Sequence, residues 1–198
     1  MNDPATLAFY EANAARYSHD SRQAPSRHLD RFLDRLAPGA QVLELGCGGG
    51  RDAARMAERG FAVDPTDASA AMVAKTLEGF GLPARRMRFD ELRATEGYHA
   101  VWAHACLIHV ARSDFGTVLG AIHTALRSAG WHFANFKLGD GEGRDPLGRL
   151  TNFPDKRWLE QAYRAAGFSM VETECYRGEG ADGVVRDWYA LTVRKDRG

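Results

Sequence analysis

Two rhythms of apolar residues alternate along the chain. Leu7, Tyr10, Ala14 and Tyr17 recur at helical spacing after Pro4. Leu29, Phe32, Leu33 and Leu36 do so again, ending at Pro38-Gly39. Residues 42–45 form a short apolar run of strand length, followed by a helix over 52–60 with Ala53, Met56 and Ala57 on one side and Gly60 as its stop. A second strand begins at 61–63 and is ended by Pro65, with Ser69 placed to cap a helix over 70–77. Residues 85–89 and 98–103 read as the third and fourth strands. Ser113-Asp114 starts a helix with Phe115, Val118, Leu119, Ile122 and Leu126 inward, Arg127 in its last turn and Gly130 at its end. The fifth strand is 131–136. Asp155 caps a helix with Trp158, Leu159, Ala162, Tyr163 and Ala166 inward, stopped by Gly167. Residues 168–176 and 187–193 are strands joined by a glycine-rich turn over 177–183. Alternating strands and helices imply a doubly wound α/β domain. The closing hairpin implies a mixed sheet with one antiparallel strand.

Composition narrows the class without naming a ligand. The 198 residues are enough for one domain with a sizeable core, read here as a helical cap over 1–38 and an α/β core over 39–198. Lysine plus arginine equals aspartate plus glutamate, 26 each, so net charge gives no pull towards nucleic acid or an anionic membrane. No apolar run reaches membrane-spanning length, and Met1-Asn2-Asp3-Pro4 lacks the pattern of a signal peptide. Cys47, Cys106 and Cys175 are three and far apart, which suggests free thiols in a reducing cytoplasm and neither a disulfide frame nor a metal site.

The chemistry concentrates after the first strand, in Glu44-Leu45-Gly46-Cys47-Gly48-Gly49-Gly50-Arg51. Glycines there open backbone angles closed to other residues and let a ligand approach the main chain. The helix that follows offers free amide donors. The dinucleotide fingerprint requires a third glycine where Arg51 stands, and the phosphate-loop Gly-Lys-Ser/Thr is missing. Asp67 lies 67 − 46 = 21 residues past Gly46, where an acid at the end of a second strand can accept both hydroxyls of a ribose. Asp64 competes for that role. His104 and His109 follow the fourth strand. They suit acid–base work near neutral pH or packing with satisfied hydrogen bonds. The stretch 137–150, with alternating glycines and charges, reads as a mobile loop. It is either a solvated loop or a place where Lys137, Arg144 and Arg149 hold an anionic substrate group.

The run Glu44-x-Gly46-x-Gly48-x-Gly50 resembles motif I of the class I S-adenosylmethionine-dependent methyltransferases, and the ordered elements extend the resemblance over most of the chain. It implies a Rossmann-like, seven-stranded mixed sheet of order 3-2-1-4-5-7-6, strand 7 antiparallel, with helices on both faces. It implies S-adenosylmethionine as cofactor and S-adenosylhomocysteine as product. Glu44 would take the cofactor's ammonium, Gly46, Gly48 and Gly50 the backbone approach, Asp67 the ribose and Asp90 the adenine. Tyr17, Cys47, Arg51, Ala68, Ser69, Glu91, His104 and Leu107 complete the implied cofactor wall, with His109 as the catalytic candidate. The N-terminal helices would lie over the mouth. No Asn-Pro-Pro-Tyr-type run follows the fourth strand, so a small-molecule substrate is expected, with no nucleic acid or membrane partner and a monomer or homodimer as the assembly. An NAD-dependent oxidoreductase and a non-catalytic adenosyl-cofactor binder stay as alternatives.

Overall fold

The computed structural model describes residues 3–20 and 24–196. Its elements run α1 (Pro4–Asp20), α2 (Leu29–Leu33), β1 (Gln41–Leu45), α3 (Arg51–Glu58), β2 (Ala62–Asp67), α4 (Ala70–Phe80), β3 (Arg85–Arg86) and β4 (Tyr98–Ala103). They continue through α5 (Arg112–Ala125), β5 (Leu126–Lys137), β6 (Gly141–Arg144), β7 (Leu150–Phe153), α6 (Lys156–Ala165), β8 (Phe168–Glu179) and β9 (Val185–Lys195). Seven strands form one sheet in the order β3-β2-β1-β4-β5-β9-β8. The first five are parallel, and β9 runs antiparallel to both β5 and β8. The seven-stranded mixed sheet is as expected. The order 3-2-1-4-5-7-6 is not, because β6 and β7 pair in a separate hairpin and raise the strand total to nine.

The inner strands alternate between two apolar layers. Leu43, Leu45, Val101, Ala103, Ala134 and Phe136 pack with α5 and α6 residues such as Phe115, Ile122 and Tyr163. Their neighbours Val42, Ala100, Trp102 and Phe133 pack on the other side with Leu29, Phe32, Leu33 and Met56. Burial on both faces explains why β1 and β4 read as largely apolar runs, broken in β1 by Glu44.

Several element boundaries differ from the sequence expectation, the third strand for one ending at Arg86 and not Phe89, and three of the differences have a local reason. Pro65 does not end β2. The Thr66 carbonyl faces β1, where it accepts from the Cys47 amide at 2.9 Å. Pro65 therefore turns its nitrogen to the opposite edge, which β3 covers only at Thr66 and Asp67, so no ladder bond is lost. Gly130 does not stop α5, which ends at Ala125. It lies inside β5, where a Cβ would stand 2.9 Å from the Arg127 carbonyl oxygen, beside Ala129 at φ +60°. The β4–β5 register shifts here, so the glycine serves a bulge. The expected mobile loop at 137–150 is largely the β6–β7 hairpin. Asp145 closes its turn by accepting from the Leu147 and Arg149 amides at 3.0 Å each.

Candidate functional site

β1 and β2 bring a bare turn and a carboxylate together at the carboxyl edge of the sheet, where open α/β sheets place ligands. Gly46 and Gly50 have φ of +66° and +86°. A Cβ on Gly46 would lie 2.5 Å from the Cys106 Cβ, and one on Gly50 would lie 2.6 Å from the Thr76 Cγ2. Conformation and crowding both exclude side chains there. The Gly48 amide donates to Asp67 Oδ2 at 3.0 Å, and the Ser69 amide donates to Oδ1 at 2.9 Å. Asp67 is thus fixed at the end of β2, with lone pairs to spare for a ligand. Burial pushes its carboxyl pKa up.

Turn and carboxylate border a cavity of about 650 Å³, inside the ~300–1,000 Å³ range of ligand sites. Glu44 borders it too, only 3% exposed. Its Oε2 has no hydrogen-bond partner among the described residues. Burial, then the nearby Asp52 and Asp67 carboxylates, raise the Glu44 pKa well above the usual range. A buried carboxyl in this setting is stabilised by a cation from outside the protein. An unpaired acid, a carboxylate with spare lone pairs and a side-chain-free turn fit an amino acid joined to a nucleoside.

α1 roofs the cavity with Tyr10, Asn13, Arg16 and Tyr17. It is clamped by Glu11, whose two oxygens accept from the Ala70 and Ala71 amides at 2.8 and 3.1 Å, at the positive end of α4. Beneath the roof runs a hydrogen-bonded chain. The Arg149 guanidinium donates to the Tyr10 hydroxyl at 2.8 Å, which lies 2.9 Å from His109 Nε2. His109 Nδ1 lies 2.6 Å from the Leu150 carbonyl oxygen. A carbonyl only accepts, so Nδ1 carries the proton and Nε2 receives the tyrosine's. Both nitrogens of His109 are therefore engaged. Burial lowers its pKa to about 4. His132 is engaged in the same way, between the Val101 carbonyl and the Tyr163 hydroxyl, and burial again lowers its pKa to about 4.

A pH dependence of stability follows. Unfolded, these imidazoles take protons near 6.5; folded, only near about 4. Between those values the unfolded chain binds more protons. The stabilisation is fully present above about pH 6.5 and is lost as pH falls towards 4. Urea midpoints at pH 7.5 and 5 should fall in that order, and His132→Gln should shrink the difference.

The far wall comes from β5 and the β8–β9 hairpin. Asn135 Oδ1 accepts from the Ala105 amide at 2.6 Å while its Nδ2 donates to the Tyr176 hydroxyl at 2.9 Å. Tyr176 and Trp188 are register partners, their rings 6.2 Å apart and 11° from parallel, and Arg27 lies 4.7 Å over Tyr176. Gly178, Glu179, Gly180 and Ala181 complete this side.

Of the residues named from sequence, Tyr17, Glu44, Gly46, Cys47, Gly48, Arg51, Asp67, Ala68, His104 and His109 line the cavity. The others stand elsewhere. Gly50 lies behind the turn against Thr76, and Ser69 is fully buried, its Oγ capping α4 through the Met72 amide at 3.2 Å. Leu107 is core. Asp90 and Glu91 sit in a helical turn, Phe89–Glu91, bonded to Arg88 at 3.1 and 2.8 Å. Asp90 borders an adjoining cavity of about 400 Å³ that shares the Phe89 and His109 walls. Lys137, Arg144 and Arg149, read as anion binders, line neither cavity. They pair with Asp182 at 3.0 Å, Asp3 at 2.8 Å and Asp145 at 2.7 Å. Lys137 and Arg149 hold the turns of the two hairpins, and Arg144 ties the β6–β7 hairpin to the residue ahead of α1.

Sequence reading passed over Asn13, Asp52, Phe89, Asn135, Tyr176 and Trp188. Asn13 was open to discovery, being one helical turn from Tyr10 and Tyr17. Tyr176 and Trp188 depended on hairpin register. Among the described residues no three His, Cys, Asp or Glu side chains cluster as a metal site, and no helix is long and apolar enough to cross a membrane.

Residues 42–130 match the family model described as a methyltransferase domain. That match and the fold bear out the resemblance to class I S-adenosylmethionine-dependent methyltransferases. The chain is similar to the Burkholderia thailandensis 1,6-didemethyltoxoflavin-N1-methyltransferase, solved with 1,6-didemethyltoxoflavin and S-adenosylhomocysteine bound. Identity is 24% over 96% of this chain and 88% of that one, with a TM-score of 0.75. It is similar to an S-adenosylmethionine-dependent methyltransferase of Methanosarcina mazei, at 12% identity, 88% and 100% coverage and a TM-score of 0.76. The [4+2]-cyclase SpnF shares the fold at 18% identity, 98% and 93% coverage and a TM-score of 0.71. No curated protein sequence matches the chain.

Proposed function

We propose that the protein transfers a methyl group from S-adenosylmethionine to a small molecule. The observation that carries this reading is the partnerless buried oxygen of Glu44 in the same cavity as Asp67 and the glycine turn. The bound sulfonium compound would supply an activated methyl. Glu44 would hold its ammonium, the Gly46–Gly48 backbone would let it lie close, and Asp67 would accept its ribose hydroxyls. Asp90 stays the proposed adenine partner, reached through the cavity that it borders. α1 would exclude water, and Tyr176, Trp188 and Asn135 would receive the acceptor. Catalysis would rest largely on holding the acceptor in line with the methyl. The bound ligand of the toxoflavin enzyme, a small molecule, supports that substrate class.

A second reading, cofactor binding without methyl transfer, is favoured by the cyclase that shares the fold. Incubation with methyl-labelled S-adenosylmethionine and the small-molecule filtrate of a cell extract separates the two. Label in a new metabolite supports transfer; binding without any label transfer overturns it.

A further inference from the structure

Two buried histidines and a half-buried one lie near the sheet's carboxyl edge or core, and the buried two are spoken for. His109 and His132 each have both ring nitrogens hydrogen-bonded. His104 differs. It is the first residue after β4, it lines the cavity, and its imidazole makes no protein hydrogen bond among the hydrogen bonds of the described residues. Its contacts are ring contacts, parallel to Trp102 at 6.1 Å and 9° and to Phe133 at 6.5 Å and 7°. The ring is therefore held in plane while its nitrogens are left for a ligand.

The backbone beside it is held in a costly shape. Ala105 has φ of +51°, a left-handed conformation for a residue with a side chain. The Asn135 side chain holds it there through the 2.6 Å bond to the Ala105 amide. Strain over-determined by its surroundings is a mark of a functional position. The strand order gives the position its meaning. β4 lies between β1, which carries the glycine turn, and β5 with β9, which carry Asn135 and Trp188. His104 thus stands between the proposed donor end and the aromatic acceptor wall.

Building on the methyl-transfer reading, we propose that His104 receives the proton of the methyl-accepting atom, so that the substrate is an N–H or O–H compound. As the acceptor atom bonds to the methyl carbon, the carbon–sulfur bond breaks and its electron pair goes to sulfur. The acceptor's proton passes to a ring nitrogen of His104 and then to solvent. Thioether and tertiary-amine acceptors, which have no proton to give, have no use for this group. The titratable groups facing the ring are Asp52 and Arg51 on α3 and His28 ahead of α2. Burial keeps the imidazole neutral at neutral pH, ready to accept, and Asp52 favours the charge that it gains. A newly methylated hydroxyl, or an amide-type or ring N–H, carries a full positive charge and is strongly acidic, so a base of modest strength suffices.

The test uses the whole chain and three readouts. His104→Ala should weaken S-adenosylhomocysteine binding, whose wall it shares, far less than it lowers transfer, as calorimetry reads. It should lower label transfer into the small-molecule filtrate by about 100-fold or more, the low end of general-base effects, and added imidazole should restore part of the rate. Full transfer by the variant overturns the proposal. Loss of S-adenosylhomocysteine binding in the unmutated protein overturns instead the methyl-transfer reading on which it rests. Carbethoxylation followed by peptide mass spectrometry needs no substrate. His104 and His109 have similarly lowered basicity, so access decides their rates. Faster modification of His104 supports the proposal; equal or slower modification overturns it.

Discussion

Asp145→Ala should lower the unfolding free energy by about 3–5 kcal/mol, the cost typical of leaving half of a buried ion pair behind. The Asp145 and Arg149 side chains are 0% and 2% exposed, and Asp145 Oδ2 accepts from both Arg149 Nε and Nη2, at 3.0 and 2.7 Å. The same carboxylate closes the β6–β7 turn through two backbone amides. Arg149, left unpaired, still donates to Tyr10, so the disturbance reaches His109 and the cavity roof. Asp145→Asn keeps acceptors for the turn and should lose less. The double change Arg149→Met with Asp145→Leu should recover much of the loss, because no lone charge remains buried. Urea unfolding of the three variants beside the unmutated protein checks this. A loss under 1 kcal/mol for Asp145→Ala would show the pair to be hydrated.

Asp67→Ala should weaken S-adenosylhomocysteine binding by about 1.5–3 kcal/mol, roughly 10- to 150-fold, the range for hydrogen bonds to a charged partner. Among the described residues Asp67 is the one acid that both lines the cavity and is oriented by the glycine turn itself, through the Gly48 amide. Its rival Asp64 points elsewhere, accepting from the Arg85 guanidinium at 2.9 Å and from the Tyr98 hydroxyl at 2.5 Å. Asp64→Ala should therefore leave affinity unchanged. Calorimetric titration of the two variants decides between the acids, and a reversal of their order would move the ribose site to Asp64.

Local chemistry made part of this site legible. Glycines at Gly46 and Gly48, an acid two residues ahead of the first, and a second acid at the end of the next strand mark residues that the structure brings together around one cavity. The apolar runs of β1 and β4 likewise declare strands buried on both faces. What stayed hidden depends on partners remote in sequence. Lys137 looks like an anion binder until Asp182 arrives from the β8–β9 turn. His109 looks like a free base until Tyr10 descends from α1. Gly130 resembles a helix stop, because a bulge in β5 and a cap ask for the same residue type. The alternating glycines and charges of 137–150 suit both a mobile loop and a short hairpin, and only the Asp145–Arg149 pair inside its turn selects the hairpin.

The buried Glu44 carboxyl beside a side-chain-free bend carries the proposed cofactor site, so direct titration of the purified protein with S-adenosylhomocysteine tests it best. One site filled with micromolar or tighter affinity, and weakened when Glu44 is replaced by Gln, is the expected result. No heat with S-adenosylhomocysteine, or saturable binding of NADH in its place, would contradict it.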